Sequence, residues 1–362
     1  MKVCIIGLQN IKHMTLISLY TNFFDYNRID YDLIYIDKYG ITEESTAKTI
    51  YKFDGTEKKY FGKIGKILKA LKFKKYVINI LENNNYDFIV IWREETACIF
   101  SKYLSTHYKG KYSVNIRDLW NMKNFFMTRR IECALKNSRF NTISSEGFLD
   151  ELPKADYLML HSANEKVINE HGIKLENKEQ DPIKITYIGT VRFYKYCFRL
   201  VEFFSNDSRF QINFIGQGSE IIEKYILKKR IKNVKCTGAF SPRDTMKLLE
   251  GTHIINCAFG NKNLAEKRLV PIRFYYALYK SIPILTTENT WLDTLGNKLE
   301  MSITLPNILN KDRKKLDDIY NRYKSIINNK GMIKKIKDYK EEIEESHRKL
   351  DKILTNILVK KS

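Results

Sequence analysis

Long apolar runs are missing from this chain: none approaches the roughly 18 residues that a membrane-spanning helix needs, so a soluble or peripheral protein is expected. Cysteine is sparse and scattered. Cys4, Cys98, Cys133, Cys197, Cys236 and Cys257 stand singly, with no C-x-x-C and no histidine at ligand spacing, which argues against a zinc site and a disulfide framework and for a reducing compartment. There is no internal repeat and no low-complexity tract, and proline numbers only 6. A repeat solenoid and a disordered chain are therefore set aside. Neither Gly7-Leu-Gln-Asn nor Gly216-Gln-Gly218 completes G-x-G-x-x-G, so a nicotinamide dehydrogenase is not supported. The start, MKVCIIGLQN, lacks a small-residue cleavage site and reads as a strand, not a signal peptide. Acidic residues are outnumbered 63 to 42 by Lys and Arg, and the net charge of +21 calls for an acidic partner: nucleic acid, an anionic membrane or a phosphorylated substrate.

What is present is a chain of 362 residues, 43% hydrophobic and rich in Tyr and Phe, long enough for two domains with a core each. Short apolar runs alternate with helical patterns, as in β-α units around parallel sheets. The first set of strands is expected at 3–7, 32–36, 86–91, 113–116, 140–143 and 157–160, the second at 183–188, 211–215, 233–237, 253–257, 282–286 and 301–305. Between them lies a polar stretch. The expected division is a domain at 1–165, a linker at 166–182, a second domain at 183–310 and charged terminal helices at 311–362, packed on or across the domains. The fold class is thus α/β, two doubly wound Rossmann-like domains facing across a cleft, with ligands at the carboxyl ends of the strands.

Four stretches of the second half occur in a suggestive order. Tyr187-Ile-Gly-Thr-Val-Arg192-Phe-Tyr-Lys195 is a strand, a glycine and two cations three residues apart, a set that suits a diphosphate. Phe214-Ile-Gly-Gln-Gly-Ser-Glu220 runs a strand into G-x-G and a helix. Asn233-Val-Lys-Cys-Thr-Gly238 is followed by Ser241-Pro-Arg-Asp244 and by His253-Ile-Ile-Asn-Cys257. Last come Pro271-Ile-Arg-Phe-Tyr-Tyr-Ala-Leu278 and Ser281-Ile-Pro-Ile-Leu-Thr-Thr287. In this order the stretches resemble the donor-binding half of GT-B glycosyltransferases. Asn115-Ile-Arg-Asp118, Ile143-Ser-Ser-Glu-Gly-Phe148 with Leu152-Pro153, and His161-Ser-Ala-Asn164 resemble the family 4-like enzymes of bacterial capsule and exopolysaccharide synthesis. The resemblance covers residues 1–310 and implies transfer of a sugar from a nucleotide diphosphate donor, a UDP-sugar first, to a growing, lipid-linked glycan. One departure stands out. The commonest retaining subgroup has two glutamates eight positions apart, and the aligned residues here are Arg268 and Tyr276. Arg273 matches a Lys or Arg of the same motif.

The candidate donor site consists of Gly189, Arg192, Lys195, Gly216, Gly218, Arg273, Tyr276, Thr287 and Asn289. Arg192 and Lys195 would stabilise a diphosphate leaving group without metal. Gly216 and Gly218 equally fit an ordinary strand-to-helix turn, and Thr287 or Asn289 equally fits a helix N-cap. Gln9, Asn10 and Arg117 are the candidate acceptor residues. Three residues compete as the base of an inverting transfer: His13, whose ordinary pKa suits the task, Asp118 and Glu146. An Arg117–Asp118 pair that merely fixes the loop is the plain alternative. The one D-x-D, Asp30-Tyr-Asp32, precedes a strand and reads as a turn, so no cofactor and no obligatory metal are expected.

Lys59–Lys75 holds seven lysines and no acid, with Ile64, Ile67, Leu68 and Leu71 at helical spacing. It is either a basic amphipathic segment drawn to an anionic membrane or a helix packed on the sheet with a solvated lysine face. The first would keep a cytoplasmic enzyme on the inner face of the membrane. Competing functions are a nucleotide-sugar 2-epimerase, a degenerate GT-B protein that only binds, and a nucleic-acid-binding protein. The last has no recognised module to support it, and nucleic acid is not an expected partner.

Overall fold

The structure is a computed structural model that describes residues 1–14, 16–57, 62–119, 125–163, 168 and 181–359. Most of the 166–182 linker, Asn164 and residues 59–61 of the basic segment lie outside the described residues. The chain divides into two compact units, Met1–His161 with Glu344–Ser362, and Ser162–Ile343.

The N-terminal unit runs β1 (Val3–Gly7), α1 (Ser18–Tyr26), β2 (Tyr31–Asp37), β3 (Thr49–Asp54), α2 (Gly62–Asn83), β4 (Phe88–Trp92), α3 (Glu94–His107), β5 (Tyr112–Ile116), α4 (Phe125–Asn137), β6 (Phe140–Ile143) and β7 (Tyr157–Met159). Its seven strands lie in the order β3-β2-β1-β4-β5-β6-β7, all parallel. Parallel sheets are covered on both faces, so their inner strands are continuous apolar runs, and β1, β2, β4 and β5 are buried at every position. Side chains alternate between the faces. Val3, Ile5, Leu33, Tyr35, Val90 and Trp92 share one core with Tyr20 and Phe24 of α1 and with Leu350, Leu354 and Leu358 near the chain's end. The other face carries α2, α3 and α4: Phe73 packs on Phe100 with ring centroids 6.1 Å apart, and α3 lies along α4.

The second unit runs β8 (Ile183–Ile188), α5 (Tyr194–Phe203), β9 (Phe210–Ile215), α6 (Ser219–Lys229), β10 (Val234–Thr237), α7 (Thr245–Leu248), β11 (Ile254–Asn256), α8 (Leu264–Arg268), α9 (Ile272–Lys280), β12 (Ile284–Thr287), α10 (Trp291–Lys298), β13 (Ser302–Leu305), α11 (Arg313–Ile327) and the part of α12 (Lys330–Leu358) up to Ile343. The strand order is β10-β9-β8-β11-β12-β13, again all parallel. Leu316, Ile319, Tyr323 and Ile326 of α11, and Met332, Ile336, Tyr339 and Ile343 of α12, belong to its core.

Two expectations need correcting. β3, with sequence TIYKFD, was not expected: it is an edge strand with half-exposed residues and a lysine, so it lacks the apolar run that marks inner strands. The Asp30-Tyr-Asp32 turn is also wrong, because Tyr31 and Asp32 already belong to β2. Asp32 is buried, accepting a hydrogen bond from the Tyr86 hydroxyl at 2.6 Å and lying 3.3 Å from Lys2 Nζ.

Candidate functional site

In each unit the strand order reverses at one point, between β1 and β4 and between β8 and β11. Crevices at the carboxyl ends of the strands beside such points are where doubly wound sheets bind ligands.

In the second unit β8 ends in Gly189, whose φ of 112° favours glycine and whose missing side chain would meet no atom within 4 Å. The backbone there is open to close approach. Gly216, at φ 140°, follows β9, and a methyl group on it would overlap the Gly189 carbonyl. Glycine therefore lets the two loops touch, with Gly189 N–H donating to Ile215 O at 2.9 Å and Val191 N–H to Gln217 O at 2.9 Å. Gly218 precedes α6, and its N–H is taken by Glu220 Oε2 at 2.9 Å. Arg192, in the β8–α5 connection, and Lys195, in the first turn of α5, are exposed, and neither side chain has a partner among the described residues. Between them Phe193 adopts a left-handed φ of 58°, its ring stacked on Phe259 at 5.4 Å.

Beneath this loop sits Arg273, only 8% exposed. Its guanidinium lies 4.1 Å from the Tyr187 ring centroid and 5.6 Å from that of Phe259, and Nε donates to Asn256 O at 2.7 Å. It braces the ends of β8 and β11 and places a fixed positive charge under the loop. Tyr276 is buried on the same helix, where burial pushes its hydroxyl up to about 12 against the opposing hydrogen bond with Thr245. Thr287 is buried, accepting from Gly260 N–H and donating to the Tyr196 hydroxyl, both at 3.2 Å. The helix-cap expectation needs correction: neither Thr287 nor Asn289 caps α10. Thr290 does, with its hydroxyl accepting from Asp293 N–H at 3.1 Å, while Asn289 is exposed with a φ of 57°.

Sequence reasoning missed Glu266 on α8, a buried carboxylate beside Gly260 in the loop after β11. It accepts from Lys262 N–H at 2.6 Å and from Asn263 Nδ2 at 2.5 Å, while Asn263 caps the helix in return. The signal was the reciprocal Asn-x-x-Glu spacing.

In the first unit the structure groups Gln9 with Asp118 through Arg93, a residue the sequence did not flag. Arg93 follows β4 with φ at 75°, donates from Nη1 to Gln9 Oε1 at 2.9 Å, and has Nη2 3.0 Å from Glu95 and 3.4 Å from Asp118. Its Nε is buried with no hydrogen-bond partner among the described residues. Glu94 and Glu95 are both held above the ordinary carboxylate range, chiefly by burial. The signal in the sequence was Trp92-Arg-Glu-Glu95 at a strand's carboxyl end opening a helix. Asn10 is fully buried and tied internally, to Asp37 at 2.9 Å, Glu43 at 2.8 Å and the Lys38 N–H at 2.8 Å. His13 is exposed and shares a 3.0 Å hydrogen bond with Tyr39, while its backbone carbonyl accepts from Gln9 Nε2 at 2.5 Å; its ring is not among the partners of Arg93. Arg117 donates to Leu160 O at 3.2 Å, and its guanidinium lies 5.8 Å from the Trp92 ring. Glu146 is exposed at the start of a short 3-10 helix after β6.

No protein-family model matches this chain, and no curated protein matches it by sequence. Solved structures do. Sucrose-phosphate synthase from Thermosynechococcus elongatus aligns with a TM-score of 0.72 at 10% identity, over 98% of each chain. HepE from Anabaena, solved in complex with UDP, gives 0.63 at 9% identity over 98% of this chain and all of its own. WaaG, a glycosyltransferase involved in lipopolysaccharide biosynthesis, gives 0.62 at 11% identity over 98% and 99%. The fold of this chain is that of the GT-B glycosyltransferases.

Proposed function

We propose that the protein is a glycosyltransferase that moves a sugar from a nucleotide diphosphate donor, a UDP-sugar first, to a glycan acceptor at an anionic membrane surface. The observation that carries this reading is the end of β8 and the start of α5: open backbone at Gly189, followed by two exposed cations without partners among the described residues, above the buried charge of Arg273, on a GT-B fold. A diphosphate leaving group gains charge as the glycosidic bond breaks, and preorganised cations and amides stabilise it, so transfer needs no obligatory metal in this reading. UDP bound to HepE supports the choice of donor base. Of the three base candidates Asp118 takes the role, because Arg93 joins it to the acceptor candidate Gln9. Surface-glycan synthesis and a lipid-linked acceptor belong to the same proposal. They are supported by the basic face of α2, where each cation near an anionic surface contributes about 1 kcal/mol.

The test is a thermal-shift panel of UDP, GDP, CDP and ADP in EDTA on wild type and Arg192→Ala. One nucleotide raising the midpoint saturably, with the shift lost in the variant, supports the donor site. Absence of any shift at saturating nucleotide, together with binding of RNA or DNA that falls steeply with salt, overturns it.

A further inference from the structure

The first turns of α2 run past the strand ends with one side turned inward, where Gly65 is buried and Lys69 half-buried in line with Phe73 and Val77. Phe53, next to last in β3, packs on Phe73 and Tyr76 with centroids 5.6 Å away in each case, so the helix meets the carboxyl edge of the sheet at about residue 73. At 1.5 Å per residue, Ile64 stands about 14 Å beyond that edge along the helix. Ile64, Ile67, Leu68 and Leu71 lie on the side of the helix opposite Gly65, Lys69, Phe73 and Val77, and are 84%, 63%, 37% and 62% exposed. Their i, i+3, i+4, i+7 spacing gives one apolar stripe, and the sequence supplies only cations around it, with no acid between Glu57 and Glu82.

A second apolar group lies on the same edge. The Tyr112 hydroxyl, at the start of β5, donates to Ala134 O of α4. The nine residues back to Phe125 measure about 14 Å of helix and β5 about 13 Å of strand, so α4 begins level with the carboxyl end of β5. Phe125 and Phe126 there are 61% and 76% exposed, with the Arg129 guanidinium 4.4 Å from the Phe125 ring. From Leu119 to Ile131 the sequence again has Lys and Arg and no acid. Since α2, α3 and α4 cover one face of the sheet, the two apolar ends flank the start of α3, where Arg93 joins Gln9 to Asp118. Soluble proteins seldom leave such a concentration of large apolar side chains in water. Their cationic frame fits an anionic lipid surface better than a second protein.

We propose that the amino-terminal ends of α2 and α4 form a two-point lipid-docking edge, with Ile64, Ile67, Leu68, Leu71, Phe125 and Phe126 entering an anionic bilayer between its headgroups. The acceptor would then reach Gln9 and Asp118 from the bilayer surface. That last placement rests on the glycosyltransferase reading; the docking does not, and its test uses neither donor nor acceptor.

The full-length protein is sedimented with vesicles of phosphatidylcholine with and without phosphatidylglycerol. Binding is expected to the anionic vesicles. The doubles Phe125→Ser/Phe126→Ser and Ile64→Ser/Ile67→Ser, which alter only exposed side chains, should each weaken it about tenfold or more with unchanged melting. A Phe126→Trp reporter should shift its emission to the blue and be quenched by lipids brominated on the acyl chain. Equal binding to neutral vesicles overturns the proposal. So does binding that neither double alters and salt abolishes, which is adsorption by charge alone. An unshifted, unquenched Phe126→Trp protein on bound vesicles removes α4 from the edge and overturns the two-point form.

Discussion

At Gly216 a single hydrogen in place of a methyl group decides whether two loops can meet. Its φ of 140° is closed to most side chains, and the space its Cβ would need is occupied by the Gly189 carbonyl. Gly216→Ala therefore combines backbone strain with displacement of the β8 loop, and a loss of about 1–3 kcal/mol is expected. Urea denaturation measures that loss. The nucleotide-induced thermal shift should fall further than the stability does, because the displaced segment carries Gly189 and leads into Arg192. A variant that is destabilised yet keeps its full nucleotide shift would show that the loop contact is architectural only. The sequence left Gly216 between a ligand loop and a plain turn because G-x-G is compatible with both. What no local pattern carries is the opposing carbonyl, contributed from 27 residues earlier, that makes glycine necessary there. Arg93 was hidden for a related reason. Its importance comes from meeting Gln9 and Asp118, residues 84 and 25 positions away, which no local pattern encodes.

Elements were read more readily than their ends. Inner parallel strands such as β1, β4, β8 and β12 announce themselves as apolar runs because both faces are covered, whereas β3 at the sheet's edge needs no such run. The junction after β7 shows how an element end acquires chemistry from a distant helix. His161 follows β7 and is buried, and His347 of α12 donates from Nε2 to its carbonyl oxygen at 3.2 Å. Burial, with His347 and Arg117 nearby, lowers the His161 imidazole from 6.5 to about 3. The unfolded chain accordingly takes up a proton as pH falls through about 6.5, while the folded chain does not until about 3. Stability from this site is complete above the unfolded value and declines as pH drops through that window, by at most about 1.4 kcal/mol per pH unit. Denaturation midpoints measured between these limits should fall less steeply for His161→Gln than for wild type. Parallel pH curves would assign the acid sensitivity elsewhere.

At the scale of the molecule the chain's end completes the unit that its beginning starts. Two α/β domains were legible from the two sets of strands, but the destination of the charged terminal helices was not, since an amphipathic pattern reports that a face is covered and not by what. The structure assigns residues up to Ile343 to the second unit and Glu344 onward to the first, with Leu350 and Leu354 fully buried beside Tyr20, Phe24 and the strands β1, β2 and β4. Truncating such a side chain removes its transfer free energy and leaves a cavity, so Leu354→Ala should cost about 2–5 kcal/mol. That cost should fall on the N-terminal unit alone. In calorimetry the unfolding of that unit is expected to move to lower temperature, while the unit bearing Gly189 and Arg192 keeps both its own transition and its nucleotide-induced shift. A single transition that moves as a whole would instead mean that the two cores unfold cooperatively, and that the last helix is one structural element of both.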